Sequence, residues 1–84
     1  MLKRLIVTMK GDVAERYARG DHERESVLSA FEDALETASA HRVGQFSFAT
    51  RILVEEQNAE QLAKTLGHLF KVEPDYSMTT LDRR

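Results

Sequence analysis

The stretch from His22 to Ala40 constrains the fold more than any other part of the chain. Val27, Leu28, Phe31, Ala34, Leu35 and Ala38 recur at three- and four-residue spacing, with no Gly or Pro between them. That period predicts an amphipathic helix with one apolar stripe. Glu23 and Glu25 fall in its first turn, where carboxylates favour the helix dipole. A helix of this kind must lay its stripe on something, and 84 residues leave room for one core only. The remaining segments therefore have to cover the stripe within a single domain, residues 1–84.

Strand patterns flank the helix. Leu5, Val7 and Met9 alternate with Ile6 and Thr8, apolar on both sides. This predicts a strand over Leu2 to Met9, covered on both faces or on one face plus an interface. Lys10-Gly11-Asp12 reads as a turn. Val13 to Arg19 admits a short helix or irregular turn, with Asp12 as its cap, Glu15 three residues on, and a left-handed Gly20 ending it. It also admits a hairpin arm on the alternation of Val13, Glu15 and Tyr17; the helix or turn is preferred. After Gly44, Phe46, Phe48, Thr50, Ile52 and Val54 alternate with Gln45, Ser47, Ala49, Arg51 and Glu55. That predicts one long half-buried strand, bent near Ala49 or reaching past the sheet.

Asn58 and Gln61 form a capping pair for a second helix. Leu62, Leu66, Leu69 and Phe70 give its buried face, Gly67 lies inside it, and Pro74 closes the region. Tyr76, Met78 and Thr80 alternate with Ser77, Thr79 and Leu81, which predicts a last strand. The expected fold is α+β: a two-layer α/β sandwich in the order βαβαβ, with a small sheet of three to four strands and two helices on one face. A split of the long middle strand would give the ferredoxin-like order βαββαβ, but no tight hairpin signal divides it. The element order resembles that of ferredoxin-like regulatory modules of the ACT type. The glycine-bearing turn of those modules, between first strand and first helix, has no clear counterpart at Asp12 to Asp21, and the resemblance implies no ligand.

Composition narrows the function. Lys plus Arg number 12 against 14 Asp plus Glu, a net charge of −2, which argues against a generic polyanion binder. Cysteine is absent, which removes disulfide frameworks, thiol nucleophiles and cysteine-ligated metal centres. The apolar run Leu5-Ile6-Val7 is too short for a signal peptide or a membrane span. A soluble, complete, cytoplasmic protein is the expectation. His22, His41 and His68 do not pair at metal-ligand spacing; Glu25, three residues after His22, has its own reason to sit in a first helical turn. The serines occupy ordinary helix or strand positions, and neither a nucleophile elbow nor a glycine-rich phosphate loop is present. The expectation is a non-enzyme without metal or cofactor.

Two surface features stand out. Arg16, Tyr17, Arg19 and Arg24 crowd a turn, and Arg and Tyr are favoured at interface hot spots. The plainer reading is a solvated loop whose arginines pair with Asp12, Glu15, Asp21 and Glu23. On the long helix, Glu25, Ser29, Glu32 and Glu36 line up, with Asp33 beside them and no cation on the same helix face to offset them. Such a stripe suits a basic surface; the plainer reading is a solubilising face.

The leading expectation is a non-catalytic protein-interaction module, a small adaptor or inhibitor that also self-associates as a homodimer. It would bind through the acidic face of Glu25, Glu32, Asp33 and Glu36, the turn of Arg16, Tyr17, Arg19 and Arg24, or both. One alternative is a nucleic-acid-binding module using Lys3, Arg4, Arg16, Arg19 and Arg24. Another is a ligand-sensing domain or small enzyme with its site at a dimer interface, using His22 and Arg51.

Overall fold

The structure is a computed structural model and describes residues 1–75. Strand β1 (Leu2–Met9) forms where the two-sided apolar alternation places it. It leads into helix α1 (Gly11–Arg19), helix α2 (Asp21–Thr37), strand β2 (His41–Val43), strand β3 (Ala49–Glu55), helix α3 (Glu56–Leu66) and strand β4 (Phe70–Pro74). The four strands make one antiparallel sheet in the order β2-β3-β1-β4. With α1 and α2 taken as one bent connection, this is the βαββαβ order of a ferredoxin-like sheet. The molecule is a two-layer α/β sandwich, with three helices rather than two.

The core lies between the sheet and α2 and α3. Leu5, Val7 and Met9 of β1 and Thr50, Ile52 and Val54 of β3 point to one side and are buried. In register, Leu5 faces Ile52 and Val7 faces Thr50, while Met9 faces Phe70 of β4. Val27, Phe31, Ala34 and Leu35 of α2 and Ala59, Leu62 and Leu66 of α3 close the core from above. Val13 of α1 is also buried. The α2 stripe read from the sequence thus meets the alternating strand residues read from the sequence.

Several local expectations are corrected. Lys10, not Asp12, is the N-cap of α1, and no side chain caps it; Asp12 lies in the first turn. Gly20 is extended (φ 163°) rather than left-handed, and serves as C-cap of α1 and N-cap of α2. Helix α2 stops at Thr37 instead of running to Ala40, because Ser39 takes a left-handed conformation (φ 55°). The Ala40 N–H then donates to the Leu35 carbonyl and the Ser39 N–H to the Glu36 carbonyl. This is the Schellman pattern, with Ser where Gly is usual, and buried Ala40 and Leu35 supply its apolar contact.

The long middle strand is shortened at its start rather than split, and a separate short strand forms before Gly44. His41–Val43 forms β2, residues 44–48 make a loop, and only Ala49–Glu55 is strand. The sheet therefore gains its fourth strand from His41 to Val43 pairing back on Arg51 to Leu53. Gly44 at φ 83° turns the chain out of β2, a conformation that favours glycine. Ser47 then holds the loop off the strand path: its N–H donates to Thr50 Oγ1 (3.0 Å), and its Oγ donates to the Ala49 carbonyl (2.8 Å). Thr50 Oγ1 in turn donates to the Ser47 carbonyl, which is how a buried threonine satisfies its hydroxyl.

Helix α3 begins at Glu56 with Glu55 as an uncapped N-cap, so Asn58 does not cap it. Its Nδ2 instead donates to the Ala38 carbonyl at 3.2 Å and ties α3 to the end of α2. Gly67 follows the last helical residue rather than sitting inside the helix, and a Cβ there would lie 3.1 Å from the Ala63 carbonyl oxygen. Leu69 and Phe70 continue the apolar period of the helix but lie beyond it; Phe70 opens β4. The strand expected at Tyr76 to Leu81 lies outside the described residues.

Candidate functional site

Two of the three arginines of the turn, Arg16 and Arg24, are held by their own neighbourhood. Gly20 lets α1 and α2 follow one another with a single residue between them, which brings Arg16 to Glu23 (Nε to Oε2, 3.2 Å) and Arg24 to Tyr17. The Arg24 Nε–H donates to the Tyr17 carbonyl at 2.9 Å, and its guanidinium carbon stands 5.5 Å from the Tyr17 ring centre. That distance is within cation–π range. Arg19 approaches Glu15 at 3.8 Å on the exposed side of α1. Glu15 and Glu23 are two of the acids that the plainer reading offered as partners.

The structure adds residues to this turn that strand periodicity had placed elsewhere. Phe46 and Phe48 of the 44–48 loop meet the Tyr17 ring edge-on, with centroids 5.6 and 5.5 Å apart. Phe46 also lies 4.8 Å from Phe31, and Phe31 lies 5.6 Å from Phe70. A continuous row of rings therefore runs from the core at Phe70 to the surface at Phe48, whose side chain is 50% exposed. The period-two pattern of Phe46 and Phe48 hid this. Gly44 was the one sequence signal of a loop.

The acidic side of α2 is less compensated. Glu25, Glu32, Asp33 and Glu36 are all exposed. Arg42 of β2 reaches Glu32 at 3.8 Å, a cation that the helix alone did not reveal. At that distance and exposure the pair contributes little. Among the described residues, Glu25, Asp33 and Glu36 have no ion-pair partner. Two open grooves run along this side and share Glu32. One is lined by Glu25, Leu28, Ser29, Glu32 and Asp33. The other lies between the end of α2 and β2, with Leu35 and Ala40 in its lining and Glu32, Glu36 and Arg42 among its walls.

The other residue sets do not assemble. Lys3 and Arg4 sit at the start of β1, whereas Arg16, Arg19 and Arg24 follow its far end, about 20 Å away along the strand. Lys3 and Arg4 also point to opposite faces of the sheet, because Lys3 is in register with core residue Val54 and Arg4 with Leu53. His22 is exposed in the first turn of α2, and Arg51 lies in the sheet, its Nε 3.1 Å from the buried Asp75 carboxylate. Among the described residues no three His, Asp or Glu side chains are grouped to hold a metal ion, and no helix is long and apolar enough to cross a membrane.

No protein-family model matches the chain, and no curated protein or solved structure resembles it closely enough to count as a match.

Proposed function

We propose that this domain is a non-catalytic protein-interaction module whose partner presents a positively charged surface to the acidic side of α2. One contrast carries the reading. Arg16 and Arg24 of the α1–α2 turn are hydrogen-bonded to Glu23 and Tyr17, while Glu25, Asp33 and Glu36 on the acidic side of α2 have no cation among the described residues. Unscreened like charges on one helix face cost a few tenths of a kcal/mol per pair, and a basic partner removes that cost. Capture from a lysate by the wild-type chain and by a Glu25→Lys/Glu32→Lys/Asp33→Lys/Glu36→Lys variant, at low and high salt, tests it. The bound set should be lost in the variant and released by salt. Retention of the same proteins by the variant would overturn the reading.

Self-association is supported by a separate observation. The sheet face away from the helices carries Leu2 (55% exposed), Val43 (42% exposed) and half-buried Ile6 and Leu53, and no helix among the described residues covers it. Light scattering over a concentration series should give a dimer that Ile6→Arg converts to a monomer. A monomer throughout would remove this second surface.

A further inference from the structure

The sheet has two edges, and they are finished differently. On β4, Pro74 removes one backbone donor and blunts the strand. On β2, His41, Arg42 and Val43 are all exposed, and no strand among the described residues lies beyond them. Every second N–H and C=O of such a strand points away from the sheet. The groove of about 490 Å³ lined by Leu35, Ala40, Glu32, Glu36 and Arg42 runs along this same edge.

We propose that β2 is a strand-addition site for an extended peptide that carries an apolar and a basic side chain two residues apart, on one face, with uncharged residues between them. The inference rests on the acidic-side reading above and names the form in which a basic partner binds. Backbone pairing with His41–Val43 supplies the directional contacts, and side chains on alternate positions supply the selectivity. Arg42 is in register with the core residue Ile52, so it stands on the helix side of the sheet, as its contact with Glu32 also requires. Side chains of an added strand that point the same way enter the groove. One apolar side chain then rests on Leu35 and Ala40, and a Lys or Arg two residues along meets Glu36, which has no cation partner among the described residues. Side chains on alternate positions face Val43 on the other side of the sheet, where an apolar or uncharged residue fits.

A synthetic hexapeptide, Thr-Val-Thr-Lys-Thr-Val, is the probe, read by amide chemical shifts and hydrogen exchange of the full chain. Its binding should slow exchange at an amide within His41–Val43. Two N-methylated versions, one on the threonine nitrogens and one on the valine and lysine nitrogens, separate backbone pairing from charge. One of the two should bind about tenfold more weakly and the other as the parent does, since only one set of N–H groups faces the edge. Glu36→Lys, an exposed substitution, should weaken the parent peptide about tenfold. Equal binding of both methylated peptides would overturn strand addition and leave the acidic-side reading standing. No binding at millimolar peptide would also overturn it, as would a peptide-free dimer with β2 amides already protected. Retention of the lysate partners by the four-carboxylate variant, with the hexapeptide weakened by Glu36→Lys and by one methylated set only, would overturn the acidic-side reading and support strand addition.

Discussion

On the covered face of the sheet, Leu5, Val7, Thr50, Ile52, Val54 and Phe70 are all but excluded from water. One residue along on the same strands, the open face carries Arg4, Ile6, Thr8, Arg51, Leu53, Lys71 and Glu73. The rows across it mix charge and hydrocarbon: Val43, Arg51, Ile6 and Glu73 lie in one row, and His41, Leu53 and Arg4 in the next. The covered face gains from close packing, which punishes any change of volume. The open face gains little from any single residue, so its apolar members are surplus to the core. This is why β1 read as apolar on both sides, and why only one of those sides is explained by the fold itself.

The contrast can be broken most directly at Phe31, which packs against both Phe46 and Phe70. Phe31→Ala should cost about 3–5 kcal/mol in urea unfolding. A cost below about 2 kcal/mol would mean the core collapses around the deletion. Thr50→Val tests the one buried polar side chain of that face. It keeps the volume but removes the partner of the Ser47 N–H, and should cost about 1–2 kcal/mol, with faster amide exchange in the 44–48 loop. Ser39→Gly lies on neither face and acts as the control. It relieves a left-handed φ of 55° at a non-glycine residue and should raise stability by about 1 kcal/mol. Smallest is Ile6→Thr on the open face, expected to cost under about 1 kcal/mol in a monomer. A cost comparable to that of Phe31→Ala would show that the open face is as closely packed as the covered one.

Legibility in the sequence followed the same division. The strand Leu2–Met9, the stripe of α2 and the inward set of β3 were visible because each buries one side, and burial imposes a period. The errors fall where period and structure part. Phe46 extends the alternation of Thr50, Ile52 and Val54, yet its ring plugs a gap between Phe31 and Tyr17 from a loop. Leu69 and Phe70 extend the spacing of Leu62 and Leu66, yet the chain has already left the helix at Gly67. A three-residue strand such as His41–Val43 is too short for alternation to register. Of the candidate site, the carboxylates of α2 were legible, since helical spacing alone aligns them. Arg42 beside Glu32 was not, because strand pairing brings it there.

The sheet order has a further consequence, for the time at which the fold can exist. Strand β1 is central, flanked by β3 and β4, and Leu5 pairs with both Ile52 and Pro74. During synthesis the first strand therefore leaves the ribosome without either neighbour and waits for both. Its exposed Leu5, Ile6 and Val7 are open to wrong partners during that interval. Loop closure over such separations also slows folding relative to a helical bundle of the same length. The β2 edge likewise has no sheet to belong to until β3, made after it, is in place to pair with it.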